Sequence, residues 1–442
     1  MFRCNRHVDG PEPRTGCRLD LRSVAFAACL LAIYGLGVYH RTVRMCAPNL
    51  SKDALWTLRY SVPLPVGEIF RDLASPNNHP LSTLLIKGAM LLFGRTNFAV
   101  RLFAWLPGLG IPLAAAGLAY ALFLRKRVAL LTLALCSFNG ALVFYSGAAR
   151  GYALQTLLLV LFALAAVCHE GAQGPSSQRQ RGLCRALLVL CPLAAALTLT
   201  PSILFIVPLA ACHLVWLWHV ERSRCPEAKA ARIIRRGAVR HRDLLLAYAV
   251  LLLALAAWYG GNARSIALGR GHGTVVAGGG SLVVFAGRAL VELLGRSCLF
   301  ASCLVFVRGR RNRLYGVACL ALVAFSLGSA IVVNGGPARV YTPLIPFLCI
   351  AAACGVDSLL CWTETRLSHP RPTTGLLVVG RVGGADSSRD GGARCGLAVD
   401  RSLSFCLAPD ESGCPSRCLH LLPCRCRSHD LLLRPSVQCR VC

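Results

Sequence analysis

Arg150 and Arg339 each stand where one apolar run ends and another begins, and each has tyrosines beside it. Tyr145 and Tyr152 flank the first, and Tyr341 follows the second. A guanidinium at such a boundary either snorkels to the interface or meets something anionic. Its planar fork of donors suits a phosphate or pyrophosphate. Nearer the N-terminus, Asp53 lies in Asn49-Leu50-Ser51-Lys52-Asp53-Ala54-Leu55-Trp56, a polar-to-apolar junction. A carboxylate there could take the proton of an acceptor hydroxyl or amine. It could equally be a first-turn helix acid with Ser51 as the nearby cap. Glu68 and Asp72 are rival acids in the same stretch. His79 precedes Pro80, a natural first residue for a helix over the apolar run from Leu81. It reads as a turn residue, or as part of a helix N-terminus able to hold an anion. If these segments share one side of a membrane, they assemble a base and a phosphate clamp.

What must position them is a bundle of membrane helices. The 442 residues are 55% hydrophobic with a mean hydropathy of +0.57. Most of the chain between 23 and 361 falls into long apolar runs, which excludes an ordinary soluble domain. The net charge of +29 would suggest nucleic acid in a soluble protein. Here most arginines sit in short segments between apolar runs, as cytoplasmic loops do, and only four of the 48 basic residues are lysine. No nucleic-acid partner is expected. Many of the 24 cysteines (Cys29, Cys136, Cys191, Cys319, Cys349) lie inside apolar runs, where a thiol is a small hydrophobe, so the count does not define a disulfide framework.

Five arginines before the first apolar run, Ser23 to Tyr39, place the N-terminus in the cytoplasm and make that run an uncleaved anchor. Leu81 to Phe93 is too short to cross and carries Lys87, so it reads as a half-helix within a first outer loop, 40–97. The spans then follow as 98–124, 128–144, 152–167, 186–199, 203–218, 244–259, 290–307, 314–333 and 341–361. The fold expected is an all-α polytopic membrane protein of about ten transmembrane helices, both ends cytoplasmic. Arg125-Lys126-Arg127, the 179–185 arginines, the 222–242 arginines and Arg308–Arg313 all then fall inside. Asp53, Arg150 and Arg339 fall together outside.

Five strings carry a resemblance. They are Asp53-Ala54, His79-Pro80-Leu81, Asn97-Phe98-Ala99-Val100-Arg101-Leu102, Tyr145-Ser146-Gly147-Ala148-Ala149-Arg150-Gly151-Tyr152-Ala153-Leu154, and Arg339-Val340-Tyr341-Thr342-Pro343. Their order and spacing over 23–361 resemble the GT-C glycosyltransferases, in the branch of protein O-mannosyltransferases and bacterial undecaprenyl-phosphate sugar transferases. The resemblance implies an inverting transfer of a hexosyl or pentosyl group at the outer membrane face, in a bacterium at the plasma (inner) membrane. The donor would be a polyprenyl-phosphate sugar, the acceptor a glycan, lipid or protein. Asp53 would be the base, with His79, Tyr145, Arg150, Tyr152, Arg339 and Tyr341 as substrate-binding residues. No metal ligand is named and no cofactor is certain, though a divalent metal stays open. Ala54 stands where relatives carry an acid, Leu81 replaces a second proline, and Gly147-Ala148 replaces a polar pair. An inactive relative is therefore one alternative.

A transporter or flippase is the other. Transporters favour mid-membrane charge and inverted repeats, and this chain has neither pattern. Residues 362–442 read as an irregular Cys-, Arg- and Gly-rich cytoplasmic tail, disordered or not native to the module, so that the enzyme could be truncated. Cys418, His420, Cys424 and Cys426 do not match a usual zinc spacing.

Overall fold

The computed structural model describes residues 21–71, 73, 79–171, 178–224, 230–265, 302, 305, 310–332 and 338–368. The chain divides into two units, Met1–Thr373 and Thr374–Cys442, and the second lies wholly outside the described residues, with the Cys418–Cys426 group. Among described residues, all regular structure is helical. A long first helix, α1 (Leu21–Met45), leads into three short ones, α2 (Lys52–Trp56), α3 (Val66–Arg71) and α4 (Pro80–Phe93). Then come α5 (Asn97–Phe123), α6 (Lys126–Phe138), α7 (Gly140–Gly147), α8 (Tyr152–Gly171), α9 (Gln178–Thr198) and α10 (Ile203–Arg224). A short α11 (Ala230–Arg240) precedes α12 (Arg242–Gly261), and α13 (Arg310–Val332) and α14 (Leu344–Ser368) complete the described set.

Seven of these helices are long and apolar enough to cross a membrane: α1, α5, α8, α9, α10, α12 and α14. The pair α6–α7, bent by 55°, is an eighth when counted as one broken span rather than a re-entrant loop. The bend falls at Asn139, whose side chain accepts from the Leu142 N–H at 3.0 Å and so caps a new helix in mid-span. The carbonyls orphaned at the end of α6 are taken by Arg41 of α1, whose guanidinium donates to Ser137 O at 2.7 Å and Cys136 O at 2.8 Å. The apolar part of α13 is shorter, Asn312–Ser326, and the expected span 290–307 lies almost wholly outside the described residues. The protein is an integral, multi-pass membrane protein. Its α4 has 14 residues, about 21 Å of helix against a hydrocarbon core of about 30 Å, so the half-helix reading agrees with its length. Lys87 of α4 donates to Leu64 O at 2.7 Å, which ties that helix to the segment carrying α2 and α3.

The core is one apolar cluster shared by α5, α8, α9, α12 and α14, with Ile111, Leu118, Phe162, Leu188, Leu251 and Ile350 buried in it. Small residues of α5, Ala115 and Ala119, are fully buried there and let neighbouring backbones approach. Close packing of this kind holds helices together where lipid is as apolar as the side chains. A 3-10 turn, Thr200–Ser202, joins α9 to α10 at the Pro201 break.

Candidate active site

Asp53 is the second residue of α2, and Ser51 caps that helix by accepting from the Ala54 N–H at 3.2 Å. The cap fixes the turn, and packing fixes its depth. Ala54 is buried with Val100 of α5 and Ala149, the residue before Arg150, in a small apolar cluster of their own. Three neighbouring pairs thus meet: Asp53-Ala54, Val100-Arg101 and Ala149-Arg150. Each puts its apolar member into the cluster and its charged member beside it. Ala54 is therefore a packing residue in this chain, and an acid at that position would have to be buried among alkyl groups.

Arg101, within the Asn97–Leu102 run, has a positioning role that its sequence context does not reveal. It is buried at the opening of α5 and donates to the carbonyl oxygens of Met45 and Asn49, each at 2.6 Å, and of Ala47. Asn97 adds a bond from Nδ2 to Pro48 O at 3.3 Å. The segment between α1 and α2 has no regular structure to satisfy these carbonyls. One guanidinium gathers them and so sets the path by which the chain arrives at Asp53. The only sequence signal for this was an arginine at the start of a span, and the same signal marks residues that merely snorkel.

Arg150 sits in the bend between α7 and α8, where the chain is tightly crowded. A side chain at Gly147 would bring its Cβ to 2.5 Å from Arg44 Cγ, and one at Gly151 to 2.5 Å from Thr198. A larger residue at Gly147 would collide with α1, which passes against it. The Arg150 guanidinium is nearly wholly buried. Its Nε and Nη2 donate to Nε2 of His79 at 3.2 and 2.7 Å, and its Nη1 is ion-paired with Asp53 Oδ2. Arg339, from the 3-10 turn Ala338–Tyr341 before α14, reaches the same Oδ2 through Nη1 at 3.1 Å. The Tyr152 ring packs on this group, 5.4 Å from Arg150 Cζ and edge-on to His79, with the Tyr145 ring tilted against it at 5.1 Å.

His79 occupies the cap position of α4, but its side chain makes no capping bond. Its Nε2 is turned to Arg150 instead. Burial, reinforced by the Arg150 and Arg339 charges, holds its pKa well below the usual histidine value. The ring is therefore neutral, with Nε2 as acceptor and the proton on Nδ1. It buries a cation's neighbour without adding charge, and it presents a fixed lone pair that orients the guanidinium.

Not every candidate joins this group. The Tyr341 ring is buried in the main core, edge-on to Phe205, with ring centroids 6.4 Å apart. Glu68 is exposed on α3 and makes no described ion pair, and Asp72 lies outside the described residues. The donor set does not fit a metal ion. No group of three or more His, Cys, Asp and Glu converges among the described residues, and both Asp53 and His79 face guanidiniums that a cation would have to displace.

No protein-family profile matches this sequence, and no curated protein does either. Solved structures do match. The apo structure of ArnT from Cupriavidus metallidurans superposes with a TM-score of 0.53 at 15% identity, over 78% of this chain and 62% of that one. A second ArnT structure, bound to undecaprenyl phosphate, gives 0.47 at 15% identity over 78% and 62%. The Archaeoglobus fulgidus oligosaccharyltransferase, with Zn and sulfate, gives 0.49 at 12% identity over 77% and 50%. The chain therefore shares the fold of the ArnT structure, and it spans under two thirds of the length of that neighbour.

Proposed function

We propose that this protein transfers a sugar from a polyprenyl-phosphate donor to an acceptor hydroxyl or amine at the membrane face where Asp53, Arg150 and Arg339 meet. The observation that carries this reading is one carboxylate held between two guanidiniums, beside a neutral buried histidine, at one end of a GT-C bundle. The acceptor oxygen or nitrogen attacks the anomeric carbon from the side opposite the phosphate. Its bond to carbon forms as the bond from carbon to the phosphate oxygen breaks, so configuration inverts. The electron pair leaves with the polyprenyl phosphate, and the acceptor's proton passes to Asp53. Departure turns a phosphodiester monoanion into a monoester carrying more charge. Arg150 and Arg339 can stabilise that increase. His79 holds Arg150 in register, and Tyr152 with Tyr145 walls the group.

The hexosyl or pentosyl nature of the sugar and a glycan, lipid or protein acceptor belong to the same proposal. So do a bacterial inner membrane and termini on the cytoplasmic side, with the site outward. The strongly basic segments 125–127, 179–185 and 222–242 adjoin the helix ends remote from Asp53, which supports that orientation. The test is sugar release from a panel of labelled polyprenyl-phosphate sugars in membranes holding wild type, Asp53→Asn or Arg150→Ala. Turnover by wild type that both substitutions abolish at equal expression is expected. Turnover that survives Asp53→Asn removes the base assignment and keeps the enzyme.

A further inference from the structure

We infer that the Asp53 carboxylate occupies the seat of the donor's phosphate, so that phosphate binding and the release of Asp53 toward the acceptor are one exchange. This rests on the transferase reading above and adds how the site is regulated by its own substrate. The geometry is specific. A single oxygen, Asp53 Oδ2, is bracketed by Nη1 of Arg150 and Nη1 of Arg339, which come from sequence positions far apart. The other edge of Arg150, Nε and Nη2, is already committed to His79. An arriving anion therefore meets Arg150 at the nitrogen Asp53 now holds. Arg339 has donor capacity to spare, because its Nε is buried and has no hydrogen-bond partner among the described residues. A carboxylate presents one oxygen to this bracket, whereas a phosphate presents two or more on a tetrahedron.

The charges agree with an exchange. Two guanidiniums and a neutral histidine face one carboxylate, which leaves the cluster one positive charge in excess. Two guanidiniums match a phosphate monoester dianion, the leaving group, better than they match the diester donor. The displacement of Asp53 becomes more favourable as the bond to the sugar breaks. Interactions that strengthen toward the transition state are the ones that raise turnover. Asp53 is half-buried whereas Arg150 is nearly wholly buried, so the carboxylate is the more accessible member of the pair and can turn away without Arg150 moving.

The experiment is a binding titration of the purified full chain with undecaprenyl phosphate carrying no sugar. Wild type is compared with Asp53→Asn and Asp53→Ala, each alone and combined with Arg339→Ala. The expected result is tighter binding by both Asp53 variants, by about tenfold, the scale of a charge-assisted contact no longer in competition. In the Arg339→Ala background the gain should shrink to a few-fold, because only the Arg150 donor is then contested. Equal affinity of wild type and both Asp53 variants overturns the exchange and leaves the transferase reading standing. A gain that persists undiminished without Arg339 also overturns it, since that is plain repulsion by a nearby acid. Absence of binding by every form, with thermal unfolding intact, overturns the transferase reading itself. Repeating the titration with inorganic phosphate assigns the source. The same ordering places the gain at the phosphate alone, and an ordering seen with the lipid only ties it to the lipid headgroup.

Discussion

The two ends of the bundle handle buried charge in opposite ways. At the Asp53 end the cation is inside: the Arg150 side chain is 4% exposed and its partner acid 31%. At the other end the acid is inside: Asp357 is 3% exposed, and Arg125, which pairs with it at 2.7 Å, is 54% exposed. Glu221, buried on α10, is likewise met at 2.9 Å by the exposed Arg240, with the largely buried His241 Nε2 3.5 Å from the same oxygen. A buried acid met by a solvated arginine is complete in itself. A buried arginine whose acid looks outward is a fixed positive centre whose counter-ion can be exchanged. On the proposed function, charges of the same types do structural work at one end and chemistry at the other.

The largest expected effect is on that fixed cation. Arg150→Ala should lower sugar transfer and polyprenyl-phosphate binding by about a hundredfold or more, the scale of losing a buried charge-assisted pair. Arg150→Lys should restore little, because one ammonium cannot span His79 and Asp53 together. Transfer kinetics and lipid titration check both, and near-normal activity of Arg150→Ala would break the contrast between the ends.

Next comes Ala54→Glu, which introduces an acid beside Asp53. It should destabilise by about 2–4 kcal/mol and fail to raise turnover, since the new carboxylate is buried against Val100 and Ala149. Thermal unfolding in detergent reads the first, donor turnover the second. A stable variant with higher activity would show that Ala54 marks a lost catalytic group.

A third expectation concerns pH. The folded protein holds His79 neutral with a depressed pKa, whereas the unfolded chain protonates it near its ordinary value of about 6.5. As pH falls below that value the unfolded state binds more protons, so stability contributed above it is progressively lost toward the folded pKa. The slope from this group approaches about 1.4 kcal/mol per pH unit. His79→Gln, which keeps an acceptor for Arg150, should remove that slope, as unfolding temperatures from pH 7 to 5 would reveal.

The smallest effects are expected at the opposite end, with the reverse asymmetry. Asp357→Ala leaves an exposed, hydrated Arg125 and should cost under about 1 kcal/mol. Arg125→Ala leaves a buried carboxylate and should cost more, about 1–3 kcal/mol. Neither should change lipid-phosphate affinity. If both cost the same, the burial contrast drawn above has no energetic content.

The helical membrane fold was written in composition alone, because spans of apolar residues with basic segments between them have few other solutions. Leu81–Phe93 could be read as a half-helix from length, and the Thr200-Pro201 break from its proline. Asp53, His79, Arg150 and Arg339 could be named from type and boundary position. Their grouping could not, since it depends on where helices up to hundreds of residues apart in sequence place their ends. Tyr341 shows the limit: a tyrosine two residues from Arg339 points into the core against Phe205, a matter of rotation about one short turn. Arg101 shows it again, because an arginine opening a span looks the same whether it snorkels or gathers carbonyls. Ala54, by sequence a missing acid, is by structure an apolar contact that sets the depth of Asp53. Sequence determined the solvent each segment requires, which is a sum over residues. Only the tertiary structure decided which charges face each other, because that rests on distances between segments the chain brings together from afar.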